Sequence, residues 1–201
     1  TVINVLCTLL RPSSGYAEVA GFSVVDHPYD VRRNIGVVFQ DFRLINHLSA
    51  LDNVGLPLRV AGAKPDQIRD HVAELLSWVG LGERMHVFPP VLSGGEKQRA
   101  AIARALIGRP PVMVFDDATS ALDAETEKEL VNRMINELPG VTVIIVSHDR
   151  AFLDNVVTQS IAFEGEGRLT EIVGGYADWQ AWKRQQRAPE AAVAATSPAW
   201  S

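Results

Sequence analysis

The octet Leu92-Ser93-Gly94-Gly95-Glu96-Lys97-Gln98-Arg99 carries the densest chemistry in this chain. Two adjacent glycines let a backbone approach an anion closely, because no Cβ stands in the way. Ser93 adds a hydroxyl, and Ser93 with Glu96 has the spacing of a capping box that opens a helix. A helix starting there aims its free N–H groups and positive dipole end at the same anion. An ordinary capped helix start reads the same way, so the octet alone leaves both readings open.

A second group lies downstream. Val112–Phe115 is a short apolar run that ends in Asp116-Asp117. A carboxylate at the end of a buried strand is how a fold places an acid beside a phosphate-bound Mg²⁺. The next carboxylate is placed to orient an attacking water. Ser120-Ala121-Leu122-Asp123 follows, and Asp123 also suits a helix N-cap. His148 sits in Ser147-His148-Asp149 after another apolar run, whereas His27, His47, His71 and His86 read as surface or satisfied histidines. Gln40 ends the run Ile35–Phe39. Cys7, the one cysteine, has no internal disulfide partner and reads as a small buried hydrophobe.

The elements that must hold these residues follow from periodicity. Residues 2–10 suit a short buried helix or strand, closed by Arg11-Pro12-Ser13-Ser14-Gly15. Tyr16–Val19, Phe22–Val25 and Ile35–Phe39 are strand-like. From 49 to 88 the pattern is helical: Ser49 and Asp52 form a start signal. Ile68, Val72, Leu75, Leu76 and Val79 then share one face ahead of Gly80. The helix after Ser93 runs to Gly108 on a stripe of Ile102, Ala105 and Leu106. Leu130, Val131, Met134, Ile135 and Leu138 predict another helix, which Pro139-Gly140 ends. Val141–Val146 is a buried strand, and Ser160–Glu164 with Leu169–Val173 makes a terminal hairpin. Residues 188–201 are Ala/Pro-rich and read as a flexible tail. Strand–helix–strand alternation implies a mainly parallel sheet covered by helices. Ligands bind such sheets at the carboxyl ends of strands, where Gln40, Asp116, Asp117 and His148 all fall.

The chain has 201 residues, 47% of them hydrophobic, and a formal net charge of −5. That supports one buried core and argues against a broadly basic nucleic-acid binder. No run approaches the ~18 apolar residues of a membrane span, and no signal peptide is evident, so the chain reads as soluble.

In order along the chain, Gln40, the Ser93 helix start, the strand into Asp116-Asp117, Ser120–Asp123 and His148 resemble the ATP-binding-cassette (ABC) ATPase family. Gln40 matches its Q-loop, residues 92–99 its signature and residues 112–117 its Walker B strand. Residues 120–123 match its D-loop and residues 147–149 its switch histidine. The resemblance covers residues 1–175. It implies a P-loop NTPase (RecA-like) α/β fold: a mainly parallel sheet with helices on both faces, an α-helical subdomain, and an N-terminal truncation. Residues 1–48 and 89–175 would be the ATPase core. Residues 49–88, extending as far as 108, would be the helical subdomain, and residues 176–201 a C-terminal helix and flexible tail. Two such domains would pair head to tail with ATP and Mg²⁺ between them. The nucleotide-binding candidates are Ser93, Gly94, Gly95, Gln98 and Asp123, with Ser93–Gly95 reaching the γ-phosphate on the opposite subunit. Asp116 and Gln40 would hold Mg²⁺ and water, Asp117 would orient the water, and His148 would contact the γ-phosphate. Residues 50–90 would dock on a transmembrane permease, placing the chain in the cytoplasm on the inner face of a membrane.

The chain departs from the family pattern in three ways. None of its lysines (Lys64, Lys97, Lys128, Lys183) follows a glycine, so it holds no G-x-x-x-x-G-K-[ST] loop. Thr1 looks like the residue just after that loop, and the chain is expected to be a fragment that does not hydrolyse ATP alone. Asp117 stands where the family usually has glutamate. Its subfamily likenesses are also mixed. Residues 1–39 and the run FDDATSALDAETE resemble drug exporters, and residues 40–110 the cell-division and lipoprotein-export type. Residues 147–180 resemble ABC-F ATPases, which act on ribosomes or nucleic acid. The favoured function is a transporter ATPase subunit; the alternatives are an ABC-F factor or a non-enzymatic fragment or designed chain.

Overall fold

The structure, a computed structural model, describes residues 2–116, 131–134, 136–138, 140–163 and 168–195. It divides into two compact units, residues 1–147 and 148–201.

The first unit is built on three parallel strands in the order β3 (Ile35–Phe39), β4 (Val112–Asp116), β5 (Thr142–Val146). Parallel neighbours need long crossovers, and the chain supplies one between β3 and β4 as three helices. These are α3 (Ala50–Val60), α4 (Pro65–Trp78) and α5 (Gly94–Leu106). Alternate residues face opposite sides of a sheet. Val38, Met113 and Phe115 therefore share one face, where they meet Val54, Val72, Leu76, Ile102 and Leu106 from the helices. Truncating any of these buried side chains to Ala costs roughly 2–5 kcal/mol. Ile35 and Val112 face the other way, against α1 (Val2–Leu6), the short pair β1 (Glu18–Val19) and β2 (Phe22–Ser23), and α2 (Pro28–Asn34).

Helix α4 follows its expected stripe: Ile68, Val72, Leu76 and Val79 are buried, and Gly80 leaves the helix at φ +75°. Where the chain has no side-chain room it uses Gly36. A Cβ there would lie 2.6 Å from the Ala105 carbonyl and 2.5 Å from Met113 Sδ, so this glycine lets α5 press onto β3.

Several expectations are corrected. The first residues form a five-residue helix with none of its side chains buried; of that run only the following Cys7 is. The runs at 16–25 reduce to two-residue strands, with Tyr16 exposed. Strand β5 is half-exposed, not buried: it is one of the two edge strands of this sheet among the described residues. The helices of 49–88 contribute Val54, Ile68, Val72 and Leu76 to a core that also holds Val38 and Phe115 of the sheet.

In the second unit, Asp149 caps α6 (Arg150–Val156) by accepting from the Phe152 amide at 3.0 Å. The hairpin is present as β6 (Gln159–Phe163) paired antiparallel with β7 (Leu169–Val173). Helix α7 spans Tyr176–Ala195 and takes in residues 188–195, which were expected as a tail. Alanine, the best helix former, is frequent there.

Candidate nucleotide site

Sheet register places two of the predicted residues, Gln40 and Asp116, at the carboxyl ends of adjacent strands. Phe39 pairs with Asp116, and Asp116 with Val146, so three strand carboxyl ends stand in a row. Gln40 follows the first of these ends and Asp116 forms the second, about 5 Å away across the ladder. Gln40 is exposed and Asp116 half-buried. An amide oxygen and a carboxylate are hard donors of the kind Mg²⁺ takes when phosphates and water complete its shell. Among the described residues no three His, Cys, Asp or Glu side chains form a group that could hold a metal ion. The Asp116 charge is felt by Cys7. Burial, and then that charge, push the thiol up to about 11.

Ser93, Gly94 and Gly95 stand at the start of α5, with Ser93 and Gly94 exposed. The capping box is complete. Ser93 Oγ accepts from the Glu96 amide at 3.3 Å, and the Ser93 amide donates to Glu96 Oε2 at 2.8 Å. Arg84 Nε donates to Glu96 Oε1 at 3.0 Å. The Ser93 backbone bond, the largest cause, holds the Glu96 carboxyl below its usual range; desolvation comes next and opposes it, and the Ser93 hydroxyl and Arg84 add to the lowering. The result is a pinned turn that presents free backbone amides outward.

Gln98, a nucleotide-binding candidate, is buried. It is 1% exposed, and its Oε1 has no partner among the described residues. It lies on the core side of α5, with Ala101 and Ile102 buried one turn further on. Asp117 and Asp123, with Thr1, lie outside the described residues. His148 opens the second unit two residues after β5 and is exposed.

Two residues that sequence reading passed over hold the segment after Gln40. Asn53 is fully buried. Its Oδ1 accepts from the Ile45 amide at 2.8 Å, and its Nδ2 lies 3.0 Å from the carbonyls of Ile45, Leu48 and Ser49. Arg104 donates to the Arg43 carbonyl at 2.6 Å and the Phe42 carbonyl at 2.7 Å. Phe42 and Arg43 both adopt left-handed backbone, at φ 56° and 46°. That costs roughly 1–2 kcal/mol per residue. Two charge-assisted bonds, each contributing about 1.5–3 kcal/mol, are of the size needed to hold it. Both residues left a signal. Asn53 is one position before buried Val54, and Arg104 lies three and four positions after buried Ala101 and Ala100. A polar group on a core-facing helix side requires a partner.

Comparison with known proteins identifies the family. The family described as "ABC transporter" matches residues 1–120. A glutamine transport ATP-binding protein, GlnQ of Escherichia coli, is 42% identical over 177 residues, covering 85% of this chain and 73% of that protein. A methionine import ATP-binding protein, MetN of Ralstonia nicotianae, is 39% identical over 178 residues, covering 86% of this chain and 51% of that protein. The chain thus spans about half the length of its methionine-import relatives. The dimeric structure of a post-hydrolysis state of an ATP-binding cassette, bound to ADP and Pi, superposes with a TM-score of 0.75. It shares 32% identity over 86% of this chain and 80% of that one. The fold is that of the ABC ATPase cassettes, and with the family match extending over more than half of its residues, the chain belongs to the ABC transporter family.

Proposed function

We propose that this chain is the ATP-binding, ATP-hydrolysing part of an ABC transporter, coupling ATP-driven pairing of two such domains to movement of a substrate through a membrane partner. The observation that carries this reading is the register that pairs Phe39 with Asp116, so that Gln40, the next residue, and Asp116 stand at the carboxyl ends of adjacent strands. Asp116 and Gln40 would hold Mg²⁺, which when bound neutralises charge on the phosphates. Asp117 orients the attacking water, and His148 meets the γ-phosphate. The pinned start of α5, through Ser93–Gly95, completes the site of a second copy arranged head to tail, with Asp123 beside it. The dimeric cassettes among the solved relatives support this pairing. The permease would dock on the α3–α4 region, on the cytoplasmic side. Among the described residues no helix is long and apolar enough to cross a membrane.

The phosphate-gripping loop is not encoded in these 201 residues. The chain alone therefore binds ATP weakly and does not turn it over. The test is Mg-ATP turnover of a protein that joins this sequence to a G-x-x-x-x-G-K-[ST] loop, alongside the 201-residue chain. Turnover in the first and none in the second is expected, and turnover rises with Asp117→Glu, which extends the carboxylate toward the water. No turnover in either protein refutes the reading. The ABC-F alternative rests on the likeness of residues 147–180 alone. Co-sedimentation with ribosomes rather than with a permease would select it.

A further inference from the structure

We propose that Arg104 is a positioning residue that ties the Gln40 loop to the helix carrying Ser93–Gly95, so that the two nucleotide-facing places move as one. The proposal rests on the reading of Gln40 and Ser93 given above. Ser93 and Arg104 belong to one capped helix, about 16 Å apart along its axis. At one end the capping box and Arg84 pin Ser93. Near the other end the half-buried Arg104 grips two successive carbonyls, Phe42 and Arg43, two and three residues past Gln40. The loop between is stiff. The Phe42 amide returns to the Phe39 carbonyl at 2.9 Å, and the Arg43 guanidinium lies 3.8 Å from the centre of the Phe39 ring. Phe39 itself is in the ladder with Asp116. A shift of α5 is therefore passed through Arg104 to the loop, and through Phe39 to Gln40. A lysine cannot substitute fully, because one ammonium lacks the planar fork that spans both carbonyls.

The test compares the ATPase-competent protein containing this sequence with its Arg104→Met and Arg104→Lys variants, by hydrogen exchange and steady-state kinetics. Exchange of the Phe42, Arg43 and Ile45 amides is expected to rise roughly tenfold or more in Arg104→Met, with the β3 and β4 amides unchanged. Arg104→Lys is expected to be intermediate. In Arg104→Met, kcat should fall about tenfold or more with KM for ATP little changed, the mark of a lost transition-state arrangement rather than lost binding. Unchanged loop exchange overturns the proposal. So does a loss of protection shared equally by β3 and β4, or loosened loop amides with kcat intact. If the unsubstituted protein does not hydrolyse ATP, the ATPase reading fails, while loop exchange still decides whether Arg104 holds the loop.

Discussion

Asn53→Ala tests whether the segment after Gln40 is held by one buried amide. The substitution removes every bond Asn53 makes through its side chain, but the partners do not suffer equally. The Ser49 carbonyl keeps the Asn53 backbone amide at 2.9 Å, and the Ile45 carbonyl keeps the Leu48 amide at 3.1 Å. The Ile45 amide and the Leu48 carbonyl are left without a partner. Each buried orphan costs about 1–3 kcal/mol. Both residues are half-buried, so water recovers part of this, and the sum comes to about 2–4 kcal/mol with the small void included. Asn53→Asp should be worse near neutral pH, because it turns a carboxylate oxygen toward the carbonyls that Nδ2 now faces. Burial raises that carboxyl above its unfolded value, so the extra penalty should fade as pH drops through the raised pKa. The assay is urea unfolding read through exchange of β3 and β4 amides, which reports the first unit alone. A cost below about 1 kcal/mol for Asn53→Ala, or an Asp variant no worse than the Ala variant at pH 7, would refute the reasoning.

Glu96 provides a pH signature. Its folded pKa is depressed, so its contribution is present above the unfolded value near pH ~4.3 and lost as pH falls through the folded one. Melting curves taken from pH 6 down to pH 3 should show a decline that Glu96→Gln flattens. Ser93→Ala should lower stability by about 1 kcal/mol through the lost cap, and Ser93→Asp, which caps equally well, should restore it in chemical unfolding. Gly36→Ala should cost about 1–3 kcal/mol, since its Cβ would lie 2.6 Å from a helix carbonyl; a neutral result by thermal melting would show that α5 can back away. The Cys7 thiol, with its pKa near 11, should react with a disulfide reagent at pH 8 far more slowly in the folded chain than in urea. Asp116→Asn should quicken the folded-state reaction modestly, and labelling as fast as in the unfolded chain would contradict the burial.

Local chemistry made much of this protein legible in one dimension. The Ser93–Glu96 box, the strand into Asp116 and the stripe of α4 depend on neighbours within a few positions, and the structure agrees with each. Backbone hydrogen bonding and amphipathic periodicity act at that range, so residue order suffices. The edge character of β5 was not legible, because apolar composition does not say how many neighbours a strand has. The burial of Gln98 was hidden for a related reason. Its place beside the signature is a matter of order, but its burial depends on which side of α5 meets the core. Asn53 and Arg104 carry the same lesson in reverse. Nothing next to them in sequence is their partner in full: Arg104 reaches back 61 positions to Arg43. The residue types capable of holding ATP were determined by the sequence alone. Which of them stand at adjacent strand ends, and what keeps the loop after Gln40 in a left-handed turn, was decided only when parallel register and helix packing brought distant segments together.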